Sequence, residues 1–371
     1  MNAATQKAIV AQVLQMDYDR EAQRIEAAIR RYVCGNLQRR GVVVALSGGI
    51  DSSTVAALCV RALGPERVFG LLLPEKDSSL ETRLLSQKLV DHLHIRAENH
   101  DITELLTAAG CYKYRDEAIE SVISDYQPGF TCKIVLPSLL DHESLRIFCV
   151  VVESPEGKQT RARLPLKAYL QIVAATNFKQ RIRKMLEYFH ADRLNYAVAG
   201  TPNRQEYDQG FFVKLGDGAA DLKPIAHLYK TQVYQLAAHL ALPEEICQRR
   251  PTTDTYSMPQ DQEEFYFSAP YYTFDLCLYG KNHGLPADWV AHSLALETAQ
   301  VERIYRDIET KRRTTRYLHT PPLLVEPVDE IHAESSAGAQ PARTYQDIAE
   351  GEGRISGNCD SDLCQRETKL P

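Results

Sequence analysis

The 371-residue chain has no apolar run near the roughly 20 residues a membrane-spanning helix needs. Its opening lacks the basic start, apolar stretch and small-residue cleavage site of a secretory signal, so a cytoplasmic location without a membrane partner is expected. A large excess of charge of one sign is also missing. A net charge of −6 excludes the global basic field that draws a protein to nucleic acid, and leaves only Arg181 to Lys184 and Lys311 to Arg316 as local anion contacts. Close cysteine pairs are nearly absent: of nine cysteines only Cys359 and Cys364 stand together, without the second pair a structural zinc requires. Cys34, Cys59, Cys149 and Cys277 lie in apolar segments, where a reduced thiol behaves as a small hydrophobe. From about Asp329 sustained apolar periodicity is missing too, which predicts a polar, disordered tail over 329–371. With 44% hydrophobic residues, the remaining 1–328 can bury one large core or two ordinary ones.

The chain is organised around Val42-Val43-Val44-Ala45-Leu46-Ser47-Gly48-Gly49-Ile50-Asp51-Ser52-Ser53. A valine run reads as a strand buried on both faces, and Asp51 to Val60 reads as the start of a helix. Between them Gly48 and Gly49 allow a sharp turn and a close approach to an anion, while the helix amine end and the Ser47, Ser52 and Ser53 hydroxyls supply donors. The implied ligand is a nucleotide phosphate. The loop lacks the lysine of the Walker A pattern and resembles instead the S-G-G-x-D-S loop of the ATP pyrophosphatases, which attack ATP at the α-phosphorus.

Periodicity predicts a surface helix over Tyr18 to Arg40, strands over Arg67 to Leu73 and Arg96 to Ile102, and a helix over Leu80 to Leu93. Alternating strand and helix means a doubly wound parallel α/β sheet, with ligand beyond the carboxyl ends of its strands, where the Ser47 loop, Pro74 to Ser79 and Asp101 are expected to converge. Between Gly129 and Lys167 the pattern changes to short apolar runs with a turn at Ser154 to Lys158, a β insertion. A helix from Ala168 to His190 and a strand over Tyr196 to Gly200 resume the alternation.

Thr201 and Glu206 follow that last strand and should reach the same sheet edge as the Ser47 loop. A bound triphosphate needs Mg²⁺, a hard ion held by one or two carboxylates and phosphate oxygens, and Asp51 with Glu206 are best placed to hold it. Then come Phe211-Phe212-Val213-Lys214-Leu215-Gly216-Asp217-Gly218-Ala219-Ala220-Asp221 and Leu228-Tyr229-Lys230-Thr231-Gln232-Val233. With the Gly200-Thr201 pair, these stretches resemble the NAD synthetases, the amide-forming branch of the ATP pyrophosphatases, from about Ala45 to Asp254.

The resemblance implies the adenine nucleotide alpha hydrolase-like fold and an ATP-dependent ligase that adenylates the carboxylate of deamido-NAD and lets ammonia displace AMP. By position it implies ATP contacts at Gly48, Gly49, Asp51, Ser52, Thr201, Lys230 and Thr252, catalytic roles for Asp51 and Lys230, and magnesium at Asp51 and Glu206. Arg181, Lys214 and Asp221, with Lys311 in Thr310-Lys311-Arg312-Arg313, match contacts to deamido-NAD, although the family has histidine where Thr310 stands. A homodimer with substrate at its interface is implied as well. Only 46 residues precede Ser47, too few for a glutaminase domain, so ammonia is expected to be free or delivered by a separate glutaminase. Two rivals remain. Amidation or thiolation of another acceptor would want, for tRNA, a basic face and a reactive cysteine near the loop. A nucleotide-binding regulator without catalysis would not need both magnesium carboxylates and Lys230.

Overall fold

The computed structural model describes residues 13–136, 147–250, 255–260, 263–267 and 269–328. Thr252, Cys359, Cys364 and the tail expected over 329–371 lie outside these residues. The chain divides after His319, nine residues before the boundary expected from composition, where a long helix ends just before Pro321 and Pro322.

Strands β1 (Val42–Ala45), β2 (Val68–Leu72), β3 (Arg96–Asn99) and β7 (Ala197–Val198) form one parallel sheet in the order β3-β2-β1-β7, with Val42 opposite both Val68 and Ala197. Period-two alternation assigns its faces. Val42, Val44, Val68 and Leu72 enter a core with α1 (Tyr18–Arg30), α2 (Ile50–Leu63) and α3 (Leu80–Leu93). Val43, Phe69, Leu71 and Val198 face the opposite way, toward α4 (Thr103–Ala108), α5 (Cys111–Glu120) and the second half of α6 (Leu166–Leu194). The sheet is therefore covered on both sides along β1, β2 and β7, as these apolar strands require, while β3, Arg96-Ala97-Glu98-Asn99, forms its polar edge.

The expected insertion is a three-stranded antiparallel sheet of β4 (Thr131–Val135), β5 (Cys149–Glu153) and β6 (Gln159–Arg163), with β4 at one edge. Its hairpin closes where Ser154 N–H donates to the Lys158 carbonyl at 3.0 Å and Gly157 takes φ +82°. After β7 come α7 (Arg204–Gln209), α8 (Lys230–His239) and α9 (Glu244–Gln248), then α10 (Tyr271–Asn282), α11 (Ala287–Leu294) and α12 (Thr298–His319), which share a second apolar core.

Three elements differ from the sequence reading. The first helix gives way to a π turn over Arg31–Asn36, and the chain leaves it through Gln38 at φ +52°, so it stops short of Arg40. β3 ends at Asn99 because the Asp101 carboxylate accepts the Thr103 N–H and starts α4. β7 is only two residues long; Ala199 still donates to the Val43 carbonyl at 3.0 Å, and on its other edge the chain meets an isolated parallel bridge, Ala199 with Leu222, beside which the Asp221 carboxylate takes the Val198 N–H at 2.7 Å.

Candidate active site

A cavity of about 440 Å³ runs along the carboxyl ends of β1, β2 and β7. Its floor is the loop from Ser47 to Ser52. Gly48 sits at φ +65°, and a Cβ there would lie 2.8 Å from the Leu85 Cβ, so this glycine lets the turn press onto α3. Ser52 donates to the Gly49 carbonyl at 3.1 Å and accepts the Ser47 N–H at 3.3 Å, which fixes the loop against the first turn of α2. Gly49, Ile50, Asp51 and Ser52 line the cavity, so the amine end of this 14-residue helix faces it, an arrangement that attracts phosphate.

Asn203 ties two carboxylates together. Its Nδ2 donates to Asp51 Oδ1 at 2.9 Å, its Oδ1 accepts the Glu206 N–H at 3.2 Å, and its own N–H donates to Glu206 Oε2 at 3.1 Å. The capping box that starts α7 thus brings Glu206 to Asp51. Lys230, the first residue of α8, pairs its ammonium with Asp51 Oδ2. Burial opposes the Lys230 charge, but the Asp51 and Glu206 carboxylates outweigh it and raise the ammonium above its ordinary range. Asp51, Glu206, Lys230 and Thr201 all line the cavity. The oxygen donors here suit a hard divalent cation, and among the described residues no thiol or imidazole lines the cavity.

Asp275 positions Lys230. This fully buried carboxylate accepts the Lys230 N–H at 3.2 Å, the Thr231 N–H at 2.8 Å, the Thr231 hydroxyl at 2.6 Å and Gln205 Nε2 at 2.7 Å, joining α10 to α8 and α7. Burial pushes its pKa up to about 6 against the pull of these donors. Its sequence signal was a lone acid among apolar residues, Phe274-Asp275-Leu276.

Other expected residues stand away from the cavity wall. Ser53 is fully buried and donates back to the Gly49 carbonyl at 2.8 Å. Asp221 holds the Val198 N–H and accepts the Tyr188 hydroxyl at 3.2 Å. Lys214 donates to the Tyr317 carbonyl at 2.8 Å, and Arg181, exposed on α6, donates to the Lys214 carbonyl at 3.3 Å. Lys311 is buried, donating to the Tyr266 carbonyl at 2.7 Å and pairing with Asp307 at 2.8 Å. Asp101 pairs with Arg83 at 3.6 Å on the surface, while Arg83 itself reaches the cavity.

Sequence reasoning did not single out several further cations on the wall. Arg183 donates to the Leu73 carbonyl at 3.2 Å, and Arg249 donates to Thr82 Oγ1 at 2.7 Å and to the Ser47 carbonyl at 3.4 Å. The first was visible only as part of a basic run, the second as a neighbour of Arg250-Pro251-Thr252. Lys179 was also missed: it lines the cavity and is bound to Glu75 at 2.9 Å, Asp77 at 2.8 Å and the Thr255 carbonyl at 2.9 Å.

Among the described residues no helix is long and apolar enough to cross a membrane. The seven described cysteines are free thiols, and burial pushes Cys59 and Cys277 up to about 12, so neither offers a ready thiolate.

Comparison with known proteins places these features in a family. The sequence profile of a family described as NAD synthase matches residues 21–128 and 156–316, leaving a gap that covers most of the insertion. An NH(3)-dependent NAD(+) synthetase of Rhizobium meliloti (strain 1021) is 56% identical over 321 residues, which is 86% of this chain and 96% of that protein. Among solved structures, an NMN synthetase from Francisella tularensis shares the fold at 21% identity and a TM-score of 0.57, covering 84% of this chain and 99% of that one. An NH3-dependent NAD synthetase from Campylobacter jejuni does so at 23% identity and 0.55, covering 84% of this chain and all of that one.

Proposed function

We propose an activity on the premise that this chain belongs to the NAD synthase family: it converts deamido-NAD, ATP and ammonia to NAD, AMP and pyrophosphate. The observation that carries this reading is the Asp51–Asn203–Glu206 bridge with Lys230 on the cavity wall, at the end of the strand that feeds the phosphate loop.

ATP lies with its phosphates on the Ser47 to Ser52 loop and the amine end of α2. A carboxylate oxygen of deamido-NAD attacks the α-phosphorus, and the bond to pyrophosphate breaks. Ammonia then attacks the acyl carbon, AMP leaves with that oxygen, and the amide loses a proton. Lys230 stabilises the negative charge gathering on the phosphates, and Asp275 fixes its position through the first backbone N–H groups of α8. Asp51 and Glu206 would hold Mg²⁺, which when bound neutralises phosphate charge and eases the departure of pyrophosphate. Thr201 and Thr252 are further ATP contacts in this reading. Residues 1–328 act as the catalytic domain, with 329–371 as a tail outside it.

The substrate contacts inferred by resemblance fit a homodimer. Arg181 shares an outward face of α6 with Met185 and Phe189, four and eight residues on, whose side chains are 55% and 58% exposed. Arg181, Lys214, Asp221 and Lys311 then serve the part of deamido-NAD that lies near that interface, while its reacting end enters the cavity. A cytoplasmic location agrees with these substrates.

A panel of acids (deamido-NAD, nicotinate mononucleotide and nicotinate) tests the reading, with pyrophosphate release measured under ammonium or glutamine. Turnover with deamido-NAD and ammonium is expected. Preference for another acid would reassign the acceptor, and glutamine-driven turnover by the purified chain would reassign the nitrogen source.

A further inference from the structure

The insertion is stitched to the segment that follows Thr252. Cys132, on edge strand β4, turns its backbone outward: its N–H donates to Ser257 Oγ at 2.9 Å and its carbonyl accepts the Met258 N–H at 3.1 Å. Two residues on, Gln260 Nε2 donates to the Ile134 carbonyl at 2.6 Å, and Gln260 is nearly buried. An exposed strand edge is a template for another segment, and here residues 257–260 use it. From the far side Lys179 holds the Thr255 carbonyl. The segment is therefore fixed at both ends, and Thr255 and Tyr256 become cavity wall.

The insertion also supplies a ring. Phe148, just before β5, stacks on Tyr169 of α6 with centroids 4.2 Å apart and planes 19° from parallel, and both line the cavity. Val173, Thr176 and Tyr256 continue the same wall, none of them charged. Lys179 is the next cation along α6, and its charge is taken up by Glu75 and Asp77. This end of the cavity suits a flat, neutral ring and not a phosphate.

We propose that the β insertion is a specificity element that builds a stacking slot, with Phe148 and Tyr169 as the platform and the tethered Tyr256 segment beside it, for a heteroaromatic ring of the dinucleotide substrate. The inference rests on the activity proposed above. It assigns the slot to the dinucleotide because the loop's own nucleotide is served by the ends of β1 and β2, where Arg183 meets Leu73. From Arg183 back to Tyr169 the helix rises roughly 20 Å, at about 1.5 Å per residue. Ser257 and Gln260 act through the segment they tether and are positioning residues; Phe148 is the specificity-determining one.

Steady-state kinetics on the full chain, varying deamido-NAD and ATP separately, tests this. Phe148→Ala should raise KM for deamido-NAD about tenfold, the scale of one aromatic stack, with KM for ATP and kcat within about twofold. Phe148→Trp, which keeps a stacking face, should restore it. Ser257→Ala combined with Gln260→Ala should shift the same KM in the same direction by a smaller factor. Equal rises in both KM values, or no change with Phe148→Ala, would overturn the slot. A wild-type chain that turns over ATP but not deamido-NAD would instead overturn the activity on which it rests.

Discussion

Two lysines line the same cavity, each only 1% exposed and each set among carboxylates, yet their surroundings differ. Lys179 sits in a closed set: Glu75 and Asp77 are buried with it, Tyr112 donates to Glu75 at 2.8 Å, and Arg115 donates to Asp77 at 2.9 Å. Burial works against the Asp77 charge, but Lys179 and Arg115 outweigh it and hold the carboxyl below its ordinary range. Lys230 sits in an open set, because Asp51, Glu206 and Lys230 all line the cavity, so that the acids can turn to a cation and the ammonium to a phosphate. A buried lysine with two acids is then expected to be structural where the set is saturated and chemical where one side faces ligand.

If that distinction holds, breaking the open set should cost activity and little else. Asp51→Asn and Lys230→Met should each lower kcat for pyrophosphate release by about 100- to 1,000-fold, the scale seen when one preorganised group facing developing charge is removed. Circular dichroism should find the fold intact, and near-normal turnover in either variant would sink the assignment.

Breaking the closed set should do the reverse. Lys179→Met leaves Glu75 buried without the cation bound to it and Asp77 paired with Arg115, a loss of about 3–5 kcal/mol read as a lower melting temperature. At low temperature the folded fraction should keep most of its kcat. A variant as stable as wild type would show that the network is not what holds this wall.

The lysines also differ in how they are anchored, and Asp275 gives that difference a pH signature. Its folded pKa, about 6, lies above the ordinary 3.8, so the folded chain binds the proton more tightly than the unfolded one. The stability this contributes is present below about pH 4 and is lost as pH rises through 6, on the order of 3 kcal/mol in all. Asp275→Asn should remove that slope from a melting-temperature profile over pH 4 to 6, and an unchanged slope would assign the proton elsewhere.

The smallest effect concerns a residue the motif overstates. Ser53→Ala should cost about 1 kcal/mol, one buried hydrogen bond to Gly49, and leave KM for ATP unchanged. A raised KM would return Ser53 to the phosphate site.

The same contrast explains what was legible. Asp51 and Lys230 belong to short patterns, a strand–turn–helix and a helix start, whose local chemistry can be read residue by residue, and the doubly wound sheet followed from alternating periods. Lys179 could not be read, because its acids lie 104 and 102 residues away and only the fold brings them together. Asp275 was hidden for the same reason, meeting Thr231 across 44 residues. Ser53 misled because a serine at that helical position reaches its own turn's carbonyl before it reaches ligand. The insertion was legible as β structure, but its hold on 257–260 was not, since no pattern in either stretch announces the other.

The central claim is that the open cluster at Asp51, Glu206 and Lys230 serves attack of a carboxylate on the α-phosphorus of ATP. The most direct measurement is to run the reaction with deamido-NAD labelled with heavy oxygen in its carboxylate, and to weigh the AMP by mass spectrometry. The account predicts one labelled oxygen in each AMP formed alongside NAD. Unlabelled AMP, with the label retained in another product or released to water, would contradict it.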